Sequence, residues 1–78
     1  MRVLISSPQG ILYAGEASKV RATSVEGVFE VLEGHAPFIA QLIPGKVQLQ
    51  TSEGERAFDI EGGYLWVSPD RDVQLLVR

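Results

Sequence analysis

The side chains whose spacing most invites a chemical reading lie in one stretch, Ser24-Val25-Glu26-Gly27-Val28-Phe29-Glu30-Val31-Leu32-Glu33-Gly34-His35-Ala36-Pro37-Phe38. It holds the single histidine and three carboxylates, Glu26, Glu30 and Glu33. A histidine can act as a general base near neutral pH, but it then needs a nucleophile on one side and an orienting group on the other. Glu33 is two residues from His35, a spacing that assures no contact within a turn, and no Ser or Asp motif completes a triad. The reading adopted is local: His35 hydrogen-bonds within the corner ahead of Pro37 and shapes it. The glutamates match no calcium-loop spacing. They read as solvated charge along a sheet edge, where charge discourages stray pairing. The stretch therefore reads as a loop pinned by backbone geometry and offered to a partner.

Other chemistries find no footing. Gly34 supplies a backbone conformation denied to other residues, and Pro37 rigidifies the exit from the corner. No G-x-x-x-x-G-K-[ST] loop is present, and Gly62-Gly63 precedes a strand rather than a helix, so the glycines do not read as a phosphate cradle. With no cysteine, neither a disulfide nor a thiolate metal site is available, and one His argues against structural zinc. No cofactor and no metal are expected, and catalytic residues are expected to be absent. Basic residues are few and scattered in a chain of net charge −3, which argues against nucleic acid as a partner. The apolar run at Met1-Arg2-Val3-Leu4-Ile5 is too short for a signal peptide, and no segment approaches the roughly 20 apolar residues of a membrane span.

The elements that position these residues are strands. At 78 residues the chain is read as one small domain, residues 1–78. Gly and Pro punctuate it every few residues, apolar residues alternate between them, and helical periodicity is missing. Strands are expected at Arg2 to Ile5, at Ile11 to Ala14 before Gly15, and across Ala17 to Thr23 with Val20 and Ala22 on one face. Val28 to Leu32 follows, with Phe29 and Val31 inward. Phe38 to Ile43 reads as strand or a brief helical turn. Lys46 to Thr51 alternates most clearly, and Ser52-Glu53-Gly54-Glu55 connects it to Arg56 to Ile60, with Phe58 and Ile60 inward. Tyr64 to Val67 and Val73 to Val77 complete about nine short strands. The fold class expected is all-β, an antiparallel β-sandwich of two sheets. Tyr64 and Trp66 share one side of their strand. If Leu65 and Val67 fill the core, the two aromatics mark an interface on the outer face; if the faces exchange, they are buried.

These residues, taken in order, resemble a known family. Ser7-Pro8, Leu12-Tyr13-Ala14-Gly15-Glu16, Glu26-Gly27-Val28-Phe29, Gly34-His35-Ala36-Pro37-Phe38, Pro44-Gly45-Lys46-Val47 and Gly62-Gly63-Tyr64-Leu65-Trp66-Val67 look like the amino-terminal domain of the epsilon subunit of F-type ATP synthases (delta in mitochondria). The resemblance covers essentially the whole chain. It implies a ten-stranded sandwich and a non-catalytic central-stalk subunit. It implies as partners the gamma subunit and the c-ring, with peripheral membrane association through the complex at the cytoplasmic face of a bacterial inner membrane. The segment matching Glu26-Gly27-Val28 would face the polar loops of the c-ring, and that matching His35-Ala36-Pro37 would lie near gamma and the ring. The partner-binding residues so expected are Glu26, Gly27, Val28, Glu30, Gly34, His35, Ala36 and Pro37, with Tyr64 and Trp66. The usual G-E-L-G-I, P-G-H pattern is altered: Val28 stands for the acid, Glu30 for the second Gly and Glu33 for the Pro, leaving Glu26 or Glu30 as the acidic contact. The carboxy-terminal helical pair of most bacterial members has no counterpart in these residues, either because the subunit is naturally short or because the sequence stops after the sandwich. This chain is therefore expected not to restrain ATP hydrolysis by helix extension. The rival from another class is a stand-alone β module that binds extended peptides along an open edge; a distant third is a small hydrolase using His35.

Overall fold

A computed structural model describes residues 1–78. Its elements are all strands: β1 (Arg2–Ser7), β2 (Gly10–Glu16), β3 (Lys19–Ser24), β4 (Gly27–Leu32), β5 (Phe38–Leu42), β6 (Gly45–Thr51), β7 (Gly54–Ile60), β8 (Gly63–Val67) and β9 (Val73–Val77). Each expected strand is present, most of them a residue or two longer than the alternation marks. Gly15 lies inside β2 instead of ending it, paired with Val3. The stretch after Pro37 is a strand and not a helical turn: β5 pairs with β8 along its length, from Phe38 opposite Val67 to Leu42 opposite Gly63.

The strands form one mixed, curled sheet in the order β2-β1-β9-β8-β5-β3-β6-β7, with β4 on the free edge of β3. The expectation of purely antiparallel pairing is corrected at one place, because β1 and β9 run parallel, Val3 opposite Val73 through Ser6 opposite Leu76. A parallel pair needs a long crossover. Here the whole intervening chain supplies it, since β1 and β9 are the first and last strands. The hydrogen bonding also does not separate into two sheets. A single residue pair, Ser24 opposite Leu42, joins the run β2-β1-β9-β8-β5 to the run β3-β6-β7 with β4.

The period of two places the core. Val3 and Ile5, Val20 and Ala22, Val47 and Leu49, Leu65 and Val67, and Val73, Leu75 and Val77 alternate with outward neighbours and join one apolar cluster of 15 buried residues. No buried polar side chain interrupts it. Side chains from both runs contribute to this cluster, so the curl wraps the sheet around its own inner face. Rings close the two sides: Tyr13 on β2 meets Phe58 on β7 at 6.2 Å between centroids, and Phe29 on β4 meets Phe38 on β5 edge-on at 5.6 Å. The Arg56 guanidinium lies over both rings of the first pair, 5.6 Å from Tyr13 and 5.4 Å from Phe58.

Three tight hairpins share one device. In the β1–β2 turn the Ser7 hydroxyl accepts from the Gln9 N–H at 3.3 Å and donates to the Gly10 carbonyl at 3.2 Å. In the β3–β4 turn the Ser24 hydroxyl accepts from the Glu26 N–H at 3.0 Å and donates to the Gly27 carbonyl at 3.1 Å. In the β6–β7 turn Thr51 does the same with Glu53 and Gly54, at 3.2 and 2.7 Å. A hydroxyl at the first turn residue substitutes for backbone partners and fixes a two-residue loop. Register puts the β3–β4 and β6–β7 turns at opposite ends of the sheet, since Lys19 at the start of β3 faces Gln50 near the end of β6.

Candidate partner surface

The expected site residues fall into three places. Glu26, Gly27 and Val28 form the β3–β4 hairpin tip. Gly27 adopts φ +123°, with open space where a side chain would stand, so the glycine serves the turn and not a close approach. Val28 is 59% exposed, and Val25 beside it is 61% exposed. The Val25 N–H donates to the Gln41 carbonyl at 3.1 Å, which ties the tip to β5.

The three glutamates differ in their partners. Glu30 lies across from Arg21 in the β3–β4 register, and its carboxylate takes the Arg21 guanidinium at 3.1 Å and the Lys19 ammonium at 3.7 Å. Glu33 takes the α-ammonium of Met1, which also faces Glu16 at 3.4 Å and donates to the Ala17 carbonyl at 3.0 Å. That ammonium is held above its usual value, first by the Glu33 hydrogen bond and then by Glu16, against the opposing effect of burial. Glu26 has no ion pair.

Gly34, His35, Ala36 and Pro37 make the β4–β5 corner. Gly34 has φ +80°, which favours a residue without Cβ. The His35 N–H donates to the Leu32 carbonyl at 3.0 Å, and its Nδ1 lies 2.7 Å from the Ala36 carbonyl, an arrangement in which Nδ1 carries the proton. Its ring packs on Phe38 at 4.7 Å between centroids. Those contacts are local and structural, as the sequence implies, and Glu33 is turned to the amino terminus rather than to His35. No group of three or more His, Asp or Glu side chains is arranged to hold a metal ion.

Tyr64 and Trp66 lie on the outer side of β8. Leu65 is fully buried and Val67 nearly so, while Tyr64 is 51% exposed and Trp66 half-buried. Register extends this face across its neighbours: Tyr64 stands between Gln41 and Leu76, and Trp66 between Ile39 and Gln74. Ile39 and Leu76 are exposed, and an open hollow of about 550 Å³ at one end is lined by Ser6, Ser7, Gln41, Tyr64, Leu76 and Arg78. The outer side of the other run is charged, with the Arg21–Glu30 pair and Lys46 on Asp59 at 2.8 Å. Sequence reasoning missed Val25, Ile39 and Leu76. Their signal was available, because Ile39 and Leu76 stand out of phase with buried Leu42 and Leu75, and Val25 occupies the centre of a two-residue turn.

Comparison with known proteins follows the same lines. Residues 1–78 match the family described as ATP synthase, Delta/Epsilon chain, beta-sandwich domain. The ATP synthase epsilon chain of Chlorobium limicola is 40% identical over 72 residues, covering 91% of this chain and 82% of that protein. In solved structures, the fold superposes on a chain of the Tetrahymena thermophila mitochondrial ATP synthase central stalk and c-ring with TM-score 0.84 at 19% identity, covering 99% of this chain and 62% of that one. It superposes on a chain of the Euglena gracilis mitochondrial ATP synthase with TM-score 0.87 at 22% identity, covering 96% and 48%. This chain therefore spans about half to two thirds of those two chains, and at such identities they speak for the fold alone. No helix is long and apolar enough to cross a membrane.

Proposed function

The chain belongs to the delta/epsilon-chain family of ATP synthase, and from that membership we propose that it is a non-catalytic subunit of the central stalk, coupling the rotation of gamma to the c-ring. In this reading residues 1–78 act as one rigid domain, and the curled sheet works as a two-layered sandwich. Ring contacts between β2 and β7 and between β4 and β5, at the two sides of the wrap, support that layering. The partner-binding residues are Glu26, Gly27, Val28, Gly34, His35, Ala36 and Pro37 at the tip and corner, with Tyr64 and Trp66 on the outer face; Glu30 stiffens the hairpin beneath the tip. Association with the membrane is peripheral, through the complex, on the cytoplasmic side.

The observation that carries this reading is the unequal chemistry of the two outer faces. One is laced with cross-strand ion pairs and exposes apolar side chains, Val28 and Leu32, along its β4 edge; the other exposes Ile39, Tyr64 and Leu76 across the adjoining strands β5, β8 and β9 beside a hollow. Exposed apolar side chains that adjoin across neighbouring strands, Tyr64 beside Leu76 and Trp66 beside Ile39, mark an interaction surface. Capture by immobilised gamma and by detergent-solubilised c-ring of the same organism tests the proposal. Binding to both is expected. Binding to neither, with retention of short extended peptides instead, would replace it with the peptide-module reading.

A further inference from the structure

The two runs of the sheet are fastened to each other unevenly. At the end that carries the β3–β4 tip, the Ser24–Leu42 pair is reinforced by two backbone hydrogen bonds, from the Val25 N–H to the Gln41 carbonyl and from the Ile43 N–H to the Thr23 carbonyl, both at 3.1 Å. The β4–β5 corner, Glu33 to Pro37, lies at the opposite end and pairs with no strand. Its other polar contacts stay inside the corner, where the His35 N–H donates to the Leu32 carbonyl and Nδ1 faces the Ala36 carbonyl. One bond ties it outward, from the Met1 α-ammonium to the Glu33 carboxylate. Glu33 directly follows β4 of one run, and Met1 directly precedes β1 of the other. Every other ion pair in the molecule stays within a single run. Met1 is anchored independently of Glu33. Its ammonium donates to the Ala17 carbonyl at 3.0 Å, its carbonyl accepts from the Ala17 N–H at 2.9 Å, and its side chain packs against the apolar cluster.

We propose that the Met1 α-ammonium is a charge-operated latch on the β4–β5 corner. While it carries its charge it holds Glu33, and through Glu33 the corner, against the start of β1. When the charge is removed the corner opens locally and the rest of the sheet stays paired. Charge on both partners makes this bond stronger than a neutral one, so the charge and not the N–H alone does the holding. Gly34 follows Glu33 at once, at φ +80°, and gives the released segment a residue on which to turn. Glu16 shares the ammonium at 3.4 Å, but it ends β2 in the same run as β1 and cannot hold the corner. The latch sets the order of Gly34 to Pro37 and does not depend on which molecule that segment meets.

The test compares the whole chain with a free amino terminus and the same chain carrying an amino-terminal acetyl group, which keeps an N–H donor and removes the charge. Amide hydrogen exchange is followed residue by residue, well below pH 8.0 so that the free amine is protonated. Acetylation is expected to speed exchange of the His35 N–H about fivefold and to leave the Val25 N–H, at the far end, within about twofold. Glu33→Gln with a free amine is expected to reproduce the effect, and acetylating that variant to add less than about twofold more. Glu16→Gln is expected to leave His35 within about twofold of the parent chain. Unchanged exchange at His35 on acetylation overturns the latch. So does an equal rise at His35 and Val25, which would mean general loosening, and so does a Glu33→Gln variant that exchanges like the parent chain.

Discussion

Residue by residue, glycines that look alike in the sequence do different work. Gly63 and Gly27 both have positive φ, +142° and +123°. A Cβ on Gly63 would sit 2.1 Å from the Leu76 carbonyl oxygen, whereas one on Gly27 would meet nothing within 4 Å. Gly63→Ala should therefore cost about 3 kcal/mol or more by forcing β8 off β9. Gly27→Ala should cost about 1 kcal/mol, the backbone strain alone. Urea unfolding of the two variants checks this, and equal losses would contradict it. The Met1 ammonium gives a second prediction. Its folded-state pKa lies above the ordinary 8.0, chiefly through Glu33. A group held up in this way stabilises the fold fully below its unfolded value and loses that contribution as pH rises through the folded value. Stability should therefore decline as pH climbs above 8.0. The decline should be shallower in Glu33→Gln, and a parallel decline in both chains would remove the clamp from the account.

For the elements, the strand pattern separates neighbours that composition cannot. Leu75 and Leu76 are adjacent in β9, yet Leu75 is fully buried and Leu76 is 53% exposed. Since β9 lies inside the sheet between β1 and β8, Leu75→Ala opens a cavity that no edge can relax into, and should cost about 3 kcal/mol. Leu76→Ala should change stability by less than about 0.5 kcal/mol. A period of two makes this legible from the sequence, as it does for Val47 and Leu49 or Leu65 and Val67. It also settles Tyr64 and Trp66 once Leu65 is assigned inward. Other features were less accessible. Phe38-Ile39-Ala40-Gln41-Leu42-Ile43 has too little polar contrast to separate strand from helical turn, and only pairing with β8 decides it. The parallel union of β1 with β9 has no local signal, because it depends on how the remaining strands curl. The Arg21–Glu30 pair lies in between. Once Ser24 and Gly27 close a two-residue turn, counting back and forward by three residues puts Arg21 opposite Glu30, so that part of the site was within reach of the sequence.

Taken whole, the molecule is a body of 26 × 25 × 19 Å whose accessible surface is 4728 Å². A standard interface takes roughly 800 Å² from each partner, about a sixth of that surface, so one subunit this size can bind two partners only by using distinct regions. The hairpin tip and the outer face of β8 and β9 meet such a demand, and β5 joins them, since Ile39 borders the tip concavity and Gln41 the larger hollow. Under the proposed coupling role, the outer face takes gamma and the tip takes the ring. Replacing Tyr64 and Leu76 together by Ser should leave the fold intact, because both side chains are about half exposed, and should weaken capture by gamma more than tenfold. Capture by the c-ring should change little. The matched control replaces Lys46 and Gln48 by Ser on the polar side, where binding to either partner should be unaffected. If the polar-side change costs as much gamma binding as the apolar one, or if the Tyr64 and Leu76 change abolishes ring binding equally, the two faces do not divide the partners and the arrangement proposed for the stalk is wrong.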